Sequence, residues 1–179
     1  AALPGSRVHG ATFIQYALRM GAVAVLTDAK GAQIAAAEIA EHDPAVVIAE
    51  DPRGVLAGAA ALFFGGQPET MVAITGTNGK TTITELLSFA FKRSGLDAIA
   101  CGNVGLPLTS LHRTVSNGSF VAIVEVSSFQ AEDLRHFTPE AVLWTNFDED
   151  HLDRHGDRES YFRAKFRLIE RMMPGSILV

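Results

Sequence analysis

The apolar residues of this chain fall into two kinds of pattern that alternate along its length. Short, nearly unbroken apolar runs occur at Ala22–Thr27, Ala45–Ala49, Met71–Ile74, Asp97–Cys101, Phe120–Glu125 and Ala141–Thr145. Runs of this length, without polar alternation, predict strands buried on both faces of a parallel sheet. Between them lie stretches with helical spacing. Phe13, Ile14, Ala17 and Leu18 share one face of a helix over Ala11–Met20, stopped by Gly21. Ala32–Ala40 is alanine-rich and reads as helical. Asp51-Pro52 is a helix start, with Asp51 as N-cap and proline in the first turn, and that helix runs to Phe64. Further helices are predicted over Lys80–Ser94, ended by Gly95, and over Asp157–Met173. Gly175–Val179 reads as a strand beginning. The alternation predicts an α/β fold: a small N-terminal α/β domain, then a central domain with a mainly parallel sheet. Gly65-Gly66-Gln67-Pro68 is the best linker, which gives domains of 1–68 and 69–179.

Composition narrows the function classes. With 179 residues and 47% apolar content the chain can bury one or two cores. A net charge of −5 argues against sequence-independent nucleic-acid binding, which needs a basic face. A single cysteine, Cys101, excludes an internal disulfide and reads as a small buried apolar residue beside a strand. No signal peptide opens the chain, and Val55–Phe64 is too short an apolar run to span a membrane. The expected location is cytoplasmic, with no membrane and no nucleic-acid partner. Both ends look cut, so the expectation is an incomplete first domain, an incomplete central domain, and a missing C-terminal one.

The chemistry concentrates at one place. Met71–Thr75 is followed by Gly76-Thr77-Asn78-Gly79-Lys80-Thr81-Thr82, the strand–loop–helix order of a phosphate-binding loop. Two glycines let backbone N–H groups approach a polyphosphate, and the helix N-terminus adds partial positive charge there. Lys80 is placed for the β- and γ-phosphates, and the Thr81 hydroxyl for a Mg²⁺ ion. The general pattern wants a glycine where Ile74 stands. Several strands end in polar residues. Glu125, Asn103 and Asn146 should therefore converge with this loop in the crevice outside the strands' carboxyl ends. Glu125 at the end of an apolar strand suits a second Mg²⁺ contact, against the plain alternative of a solvated strand-end carboxylate.

The variant Thr75-Gly76-Thr77-Asn78-Gly79-Lys80-Thr81-Thr82 resembles the signature of the Mur ligases and of their folylpolyglutamate synthetase relatives, ATP-dependent amide-forming enzymes. Glu125-Val126-Ser127-Ser128, Asp150-His151-Leu152-Asp153-Arg154-His155 and Tyr161-Phe162-Arg163-Ala164-Lys165 resemble further Mur motifs. The resemblance implies that Glu125 and Thr81 hold one Mg²⁺. It further implies that His151 is a ligand of a second, and that Lys165, carbamylated by CO₂, supplies an anionic oxygen there. From the residues alone, Lys165 reads as a surface lysine on an amphipathic helix. His151 and His155, four apart, could instead suggest zinc, without a third soft ligand. Ala2–Gly10 resembles the UDP-binding loop of the branch that adds diaminopimelate or lysine, which implies Ser6, Arg7 and Val8 as substrate contacts. Without that resemblance Arg7 is an exposed loop arginine and His9 a surface histidine. Gly102-Asn103-Val104-Gly105 and Ser127-Ser128-Phe129-Gln130 resemble the D-glutamate-adding branch instead. They imply Asn103, Ser127 and Gln130 as substrate contacts, the alternative for Ser127 being a helix cap.

The implied function is ATP-dependent addition of an amino acid, D-glutamate or meso-diaminopimelate/lysine, to a UDP-N-acetylmuramoyl substrate through an acyl phosphate. The implied partners are that substrate and an amino acid; the implied cofactors are ATP, two Mg²⁺ ions and CO₂ as a lysine carbamate. Two other readings stand beside it: a folylpolyglutamate-type ligase, and a nucleotide-binding fragment without turnover.

Overall fold

The computed structural model describes residues 1–5, 7–64, 66, 68–111 and 120–179. Contacts divide the chain into two compact units, Ala1–Ala59 and Ala60–Val179, so the division falls before the predicted Gly65–Pro68 linker. Gly65 and Gln67 lie outside the described residues.

In the first unit a 3₁₀ turn at Gly10–Phe13 leads into α1 (Ile14–Arg19), and Gly21 ends it with φ +89°, as read from the sequence. Strands β1 (Ala24–Thr27) and β2 (Ala45–Ile48) pair in parallel, with Ala24 opposite Ala45 and Thr27 opposite Ile48. Two expectations change here. The predicted single helix over Ala32–Ala40 is two helices, α2 (Ala29–Ile34) and α3 (Ala36–His42), broken at Ala35 (φ −96°, ψ +13°). Ala35 is fully buried, and its packing overrides the helix propensity of the alanine run. The second strand is not buried: Val47 and Ile48 are 51% and 57% exposed, because a two-stranded sheet leaves most of its outer strand uncovered. Apolar residues of the 3₁₀ turn, α1 and β1 (Ala11, Ile14, Leu18, Val25), with Ala2 and with Ala35 at the α2–α3 break, form this unit's core. Helix α4 (Pro52–Phe64) begins as predicted, with the Asp51 carboxylate accepting from Gly54 N at 2.9 Å.

The second unit is built on a five-stranded parallel sheet in the order β4-β5-β3-β6-β7. Its strands are β3 (Thr70–Thr75), β4 (Ala98–Gly102), β5 (Val121–Glu125), β6 (Ala141–Trp144) and β7 (Ile177–Leu178). The phosphate-loop strand β3 is central. It pairs with β5 on one side (Ile74 opposite Glu125) and with β6 on the other (Thr75 opposite Trp144). From β3 the chain passes outward to β4, returns to β5, and then crosses to β6 on the far side. The direction of winding thus reverses about β3, where an open parallel sheet presents its ligand crevice. Helix α5 (Lys80–Arg93) follows β3, and α6 (Ser128–Glu132) follows β5. The one-turn α7 (Leu152–His155) and α8 (Arg158–Glu170) follow β6. Asp157 caps α8 by accepting from Ser160 N at 2.7 Å. That helix buries Tyr161, Ala164, Lys165 and Leu168, a stripe at i, i+3, i+4 and i+7.

Candidate nucleotide and metal site

Both glycines of the loop adopt the left-handed backbone that the turn demands: Gly76 at φ +134° and Gly79 at φ +80°. A side chain at 76 would run into the Thr145 hydroxyl and the Asn146 backbone. Ile74, standing where the general pattern has glycine, is a fully buried strand residue, so the loop here turns at Gly76 instead. Gly79 is the N-cap of α5 and offers no capping side chain. The N–H groups of the first turn are left for an anionic guest. Lys80 Nζ folds back over the loop and donates to Gly76 O at 3.1 Å and Thr77 O at 2.9 Å.

Glu125 is buried at the end of β5, 2% exposed, so the solvated-carboxylate alternative does not hold. Its two oxygens are separately engaged. Thr81 Oγ1 donates to one at 2.7 Å, and Asn103 Nδ2 donates to the other at 3.1 Å. The Gly102-Asn103 turn wraps this strand end. Asn103 N donates to Glu125 O at 2.9 Å, and Gly102, at φ +113°, has no room for a Cβ against the Glu125 backbone. A buried carboxylate and a threonine hydroxyl at the mouth of a phosphate loop are the hard oxygen donors that Mg²⁺ takes.

The far side of the loop is clasped by the end of β6. Asn146 Oδ1 accepts from Thr77 N (3.2 Å) and Asn78 N (2.9 Å), while its Nδ2 donates to Asn78 O at 3.1 Å. Thr145 Oγ1 also donates to Asn78 O at 2.7 Å. Thr77 Oγ1 donates to Asp148 O at 3.1 Å and lies 3.4 Å from the Tyr161 hydroxyl. Asn146 was legible as a polar strand end. Thr145 and Tyr161 join the site beyond the residues expected from the sequence, where their signals are a threonine at a strand's carboxyl end and a tyrosine one turn before Lys165. The expected convergence of Glu125, Asn103, Asn146 and the loop is what the second unit contains.

Lys165 is not a surface lysine. It is 1% exposed, donates to Gly76 O at 2.7 Å, and holds its Nζ 4.7 Å from the Tyr161 ring centroid. Burial, and then the charge of nearby Lys80, push its pKa down to about 8, against a smaller upward pull from Asp150. At pH 7 about a tenth of such amines are unprotonated. Two lysines therefore meet at one carbonyl oxygen, that of Gly76. His151 is the N-cap of α7 in left-handed backbone (φ +53°), half-exposed, 3.5 Å from Asp150 and with its ring 5.0 Å from that of Phe129. Among the described residues no group of three or more His, Cys, Asp or Glu side chains is arranged to hold a metal, so the zinc alternative gains no third ligand.

The remaining candidates sit as follows. Ser127 and Gln130 form a capping box at the start of α6, with Ser127 Oγ accepting from Gln130 N and Gln130 Oε1 accepting from Ser127 N at 3.0 Å. Arg7 and Val8 are exposed in the first unit, and Ser6 lies outside the described residues. His9 is not a surface histidine: its side chain is 7% exposed, Nδ1 accepts from Ala11 N, and Nε2 donates to Asp28 at 3.1 Å. Asp28 in turn caps α2 through Gly31 N at 2.7 Å. Cys101 is buried and free, with burial pushing its thiol up to about 12. Among the described residues no helix is long and apolar enough to cross a membrane.

Two family models match the chain: "Mur ligase family, catalytic domain" over residues 1–64 and "Mur ligase middle domain" over residues 74–179. The UDP-N-acetylmuramoylalanine–D-glutamate ligase of Natranaerobius thermophilus is 45% identical over 102 residues, covering 57% of this chain and 22% of that protein. The UDP-N-acetylmuramoyl-L-alanyl-D-glutamate–2,6-diaminopimelate ligase of Brucella melitensis is 35% identical over 194 aligned positions, covering 97% of this chain and 38% of its own length. Both halves of the chain therefore have counterparts in one natural protein. The chain spans about a fifth to two fifths of these relatives' lengths. Among solved structures, the MurF ligase of Thermotoga maritima in complex with ADP shares the fold, with a TM-score of 0.60 at 22% identity, over 99% of this chain and 41% of that one.

Proposed function

The chain belongs to the Mur ligase family, and from that premise we propose that it is the UDP-substrate and nucleotide part of an ATP-dependent ligase of peptidoglycan precursor synthesis, acting in the cytoplasm. In this reading residues 1–68 form the UDP-substrate domain and residues 69–179 the ATP-binding domain. The observation that carries it is the Thr81–Glu125 hydrogen bond of 2.7 Å beside the uncapped first turn of α5. A Mg²⁺-nucleotide site needs its oxygen donors and its anion-binding N–H groups side by side in this way.

Gly76, Thr77, Asn78, Gly79, Thr81 and Thr82 surround the phosphates with the N–H groups of the turn, and Lys80 leaves its loop carbonyls to meet the β- and γ-phosphates. Thr81 and Glu125 hold a Mg²⁺ ion, which when bound neutralises charge on the transferring phosphoryl group. The substrate carboxylate takes that phosphoryl group to become an acyl phosphate; the incoming amine attacks it and phosphate leaves. Lys165 fits a carbamate: its buried amine is partly unprotonated at neutral pH, and addition to CO₂ releases one proton and leaves an anionic oxygen. As an ammonium it cannot ligate a cation; as a carbamate, with His151, it can hold a second Mg²⁺. Ser6, Arg7 and Val8 take the UDP end of the substrate, and Asn103, Ser127 and Gln130 line the groove for its muramoyl part.

The test uses the complete protein. ATP-dependent phosphate release is measured with UDP-N-acetylmuramoyl-L-alanine plus D-glutamate, and separately with the D-glutamyl extended substrate plus diaminopimelate or lysine. One pair should turn over, and Lys80→Ala should weaken nucleotide binding at least about tenfold, the value of one charge-assisted contact. Nucleotide binding without turnover on either pair would favour a binding module, and turnover only on folate polyglutamates the sister family.

A further inference from the structure

A buried polar chain lies just beyond the site. His155, whose side chain is 0% exposed, has Nε2 3.0 Å from Ser128 Oγ and Nδ1 3.1 Å from Glu132 Oε1. The approach to Glu132 is out of line for a well-formed hydrogen bond, so that contact is an electrostatic one. Glu132 is held from its other oxygen by Arg154 at 2.9 Å. The imidazole stacks on Phe129 (5.5 Å between centroids, 10° between planes) and tilts against Tyr161 at 5.2 Å.

Serine, histidine and carboxylate in this order resemble a hydrolytic triad, but the surroundings exclude one. Ser128 is 2% exposed, and aromatic rings cover the imidazole, so no substrate reaches the hydroxyl. What the cluster does is join two elements. Ser128 opens α6, three residues past Glu125 at the end of β5. His155 closes α7, whose N-cap is His151, and His155 N donates back to His151 O at 3.1 Å. Desolvation lowers the pKa of His155 although Glu132 pulls the other way, so the ring is kept neutral where it is packed. The adjacent carboxylate favours the proton on Nδ1, which leaves Nε2 to accept from Ser128.

We propose that His155 is a positioning residue: through contacts of its two ring nitrogens with Ser128 and Glu132 it ties α6 to α7, and so fixes the separation between Glu125 and His151. Its consequence for metal binding rests on the two-Mg²⁺ reading above. The tie is local to both residues that set the metal separation: Glu125 lies three residues before Ser128, and His151 one helical turn before His155. A loss of the tie leaves the phosphate loop intact, since its own bonds run to Asn146, Thr145 and Lys165.

The experiment uses the full-length protein and two variants. His155→Phe keeps the stacked ring and removes both nitrogens. Ser128→Ala removes one partner with little change in volume. Amide hydrogen exchange reads the tie directly, and Mn²⁺ titration by electron paramagnetic resonance, with a non-hydrolysable ATP analogue present, reads the metal sites. In both variants exchange at residues 151–156 should rise at least about tenfold while β3 and α5 stay protected. Mn²⁺ affinity at the second site should fall at least about tenfold, and metal-free nucleotide affinity should stay within about twofold. Unchanged exchange at 151–156, in either variant, overturns the tie. Raised exchange with unchanged Mn²⁺ affinity overturns the positioning role and leaves an ordinary packing residue. A wild-type protein that takes up one Mn²⁺ only refutes the two-metal reading instead, and the exchange result then decides the tie by itself.

Discussion

Replacing Lys165 with methionine tests the buried amine without disturbing much else. Methionine is close in length and apolar, and Gly76 O keeps its second donor, Lys80 Nζ at 3.1 Å. In the wild type the Lys165 pKa drops from 10.5 to about 8 on folding. At neutral pH that shift opposes folding by about 3 kcal/mol, at about 1.4 kcal/mol per unit. The bond to Gly76 and the Tyr161 ring offset part of what burial removes. Lys165→Met should therefore be more stable than wild type at pH 7, by about 1–3 kcal/mol. Between pH 8 and 10.5 the unfolded chain holds a proton that the folded chain has released, so wild-type stability rises with pH in that window. The variant's advantage should shrink by about 1.4 kcal/mol per unit above pH 8 and be gone before pH 10.5. Urea unfolding followed through Trp144, the single tryptophan, reports the unit that holds the site. Bicarbonate-free buffer keeps the amine free. Subtracting the variant removes the opposite trends of Cys101 and Tyr161, whose pKa values are raised by burial. A difference that stays flat from pH 7 to 10.5 would refute a neutralised buried lysine.

Asn146→Ala removes one acceptor and one donor that hold Thr77 and Asn78; calorimetric nucleotide titration should show affinity lower by about tenfold, with stability down by about 1–3 kcal/mol. Gly76→Ala drives a methyl group toward Thr145 and Asn146 at φ +134°, and should reduce stability by about 2 kcal/mol or more on urea unfolding together with nucleotide binding. Cys101 should resist a thiol reagent in the native protein at pH 8 and react on unfolding, because burial keeps it protonated up to about pH 12. Reaction at the rate of a free thiol would count against the buried β4 position.

The elements of this protein were mostly legible in its sequence because their causes are local. Unbroken apolar runs gave the strands of the second unit, and Asp51-Pro52, Asp157 and the phosphate-loop glycines gave helix starts that depend on nearby backbone donors and positive φ. Glu125 was legible as a strand end but not as a buried group, since its burial comes from the Gly102-Asn103 turn wrapping it from β4. The alanine run misled because propensity is local whereas the break at Ala35 is a packing decision. β2 misled because an apolar run states a capacity for burial and not whether a neighbour covers it.

Lys165 marks the boundary most clearly. From the residues alone it reads as a surface lysine on an amphipathic helix, and the sequence determined only that α8 is helical from Asp157 onward; the structure puts Lys165 in the buried stripe with Tyr161, Ala164 and Leu168. That the amine would meet the Gly76 carbonyl, share it with Lys80 and lose much of its basicity was decided only by the tertiary structure. A pKa is set by solvent exclusion and by charges a few ångströms away, and sheet order, not chain order, brings residue 165 to residue 76.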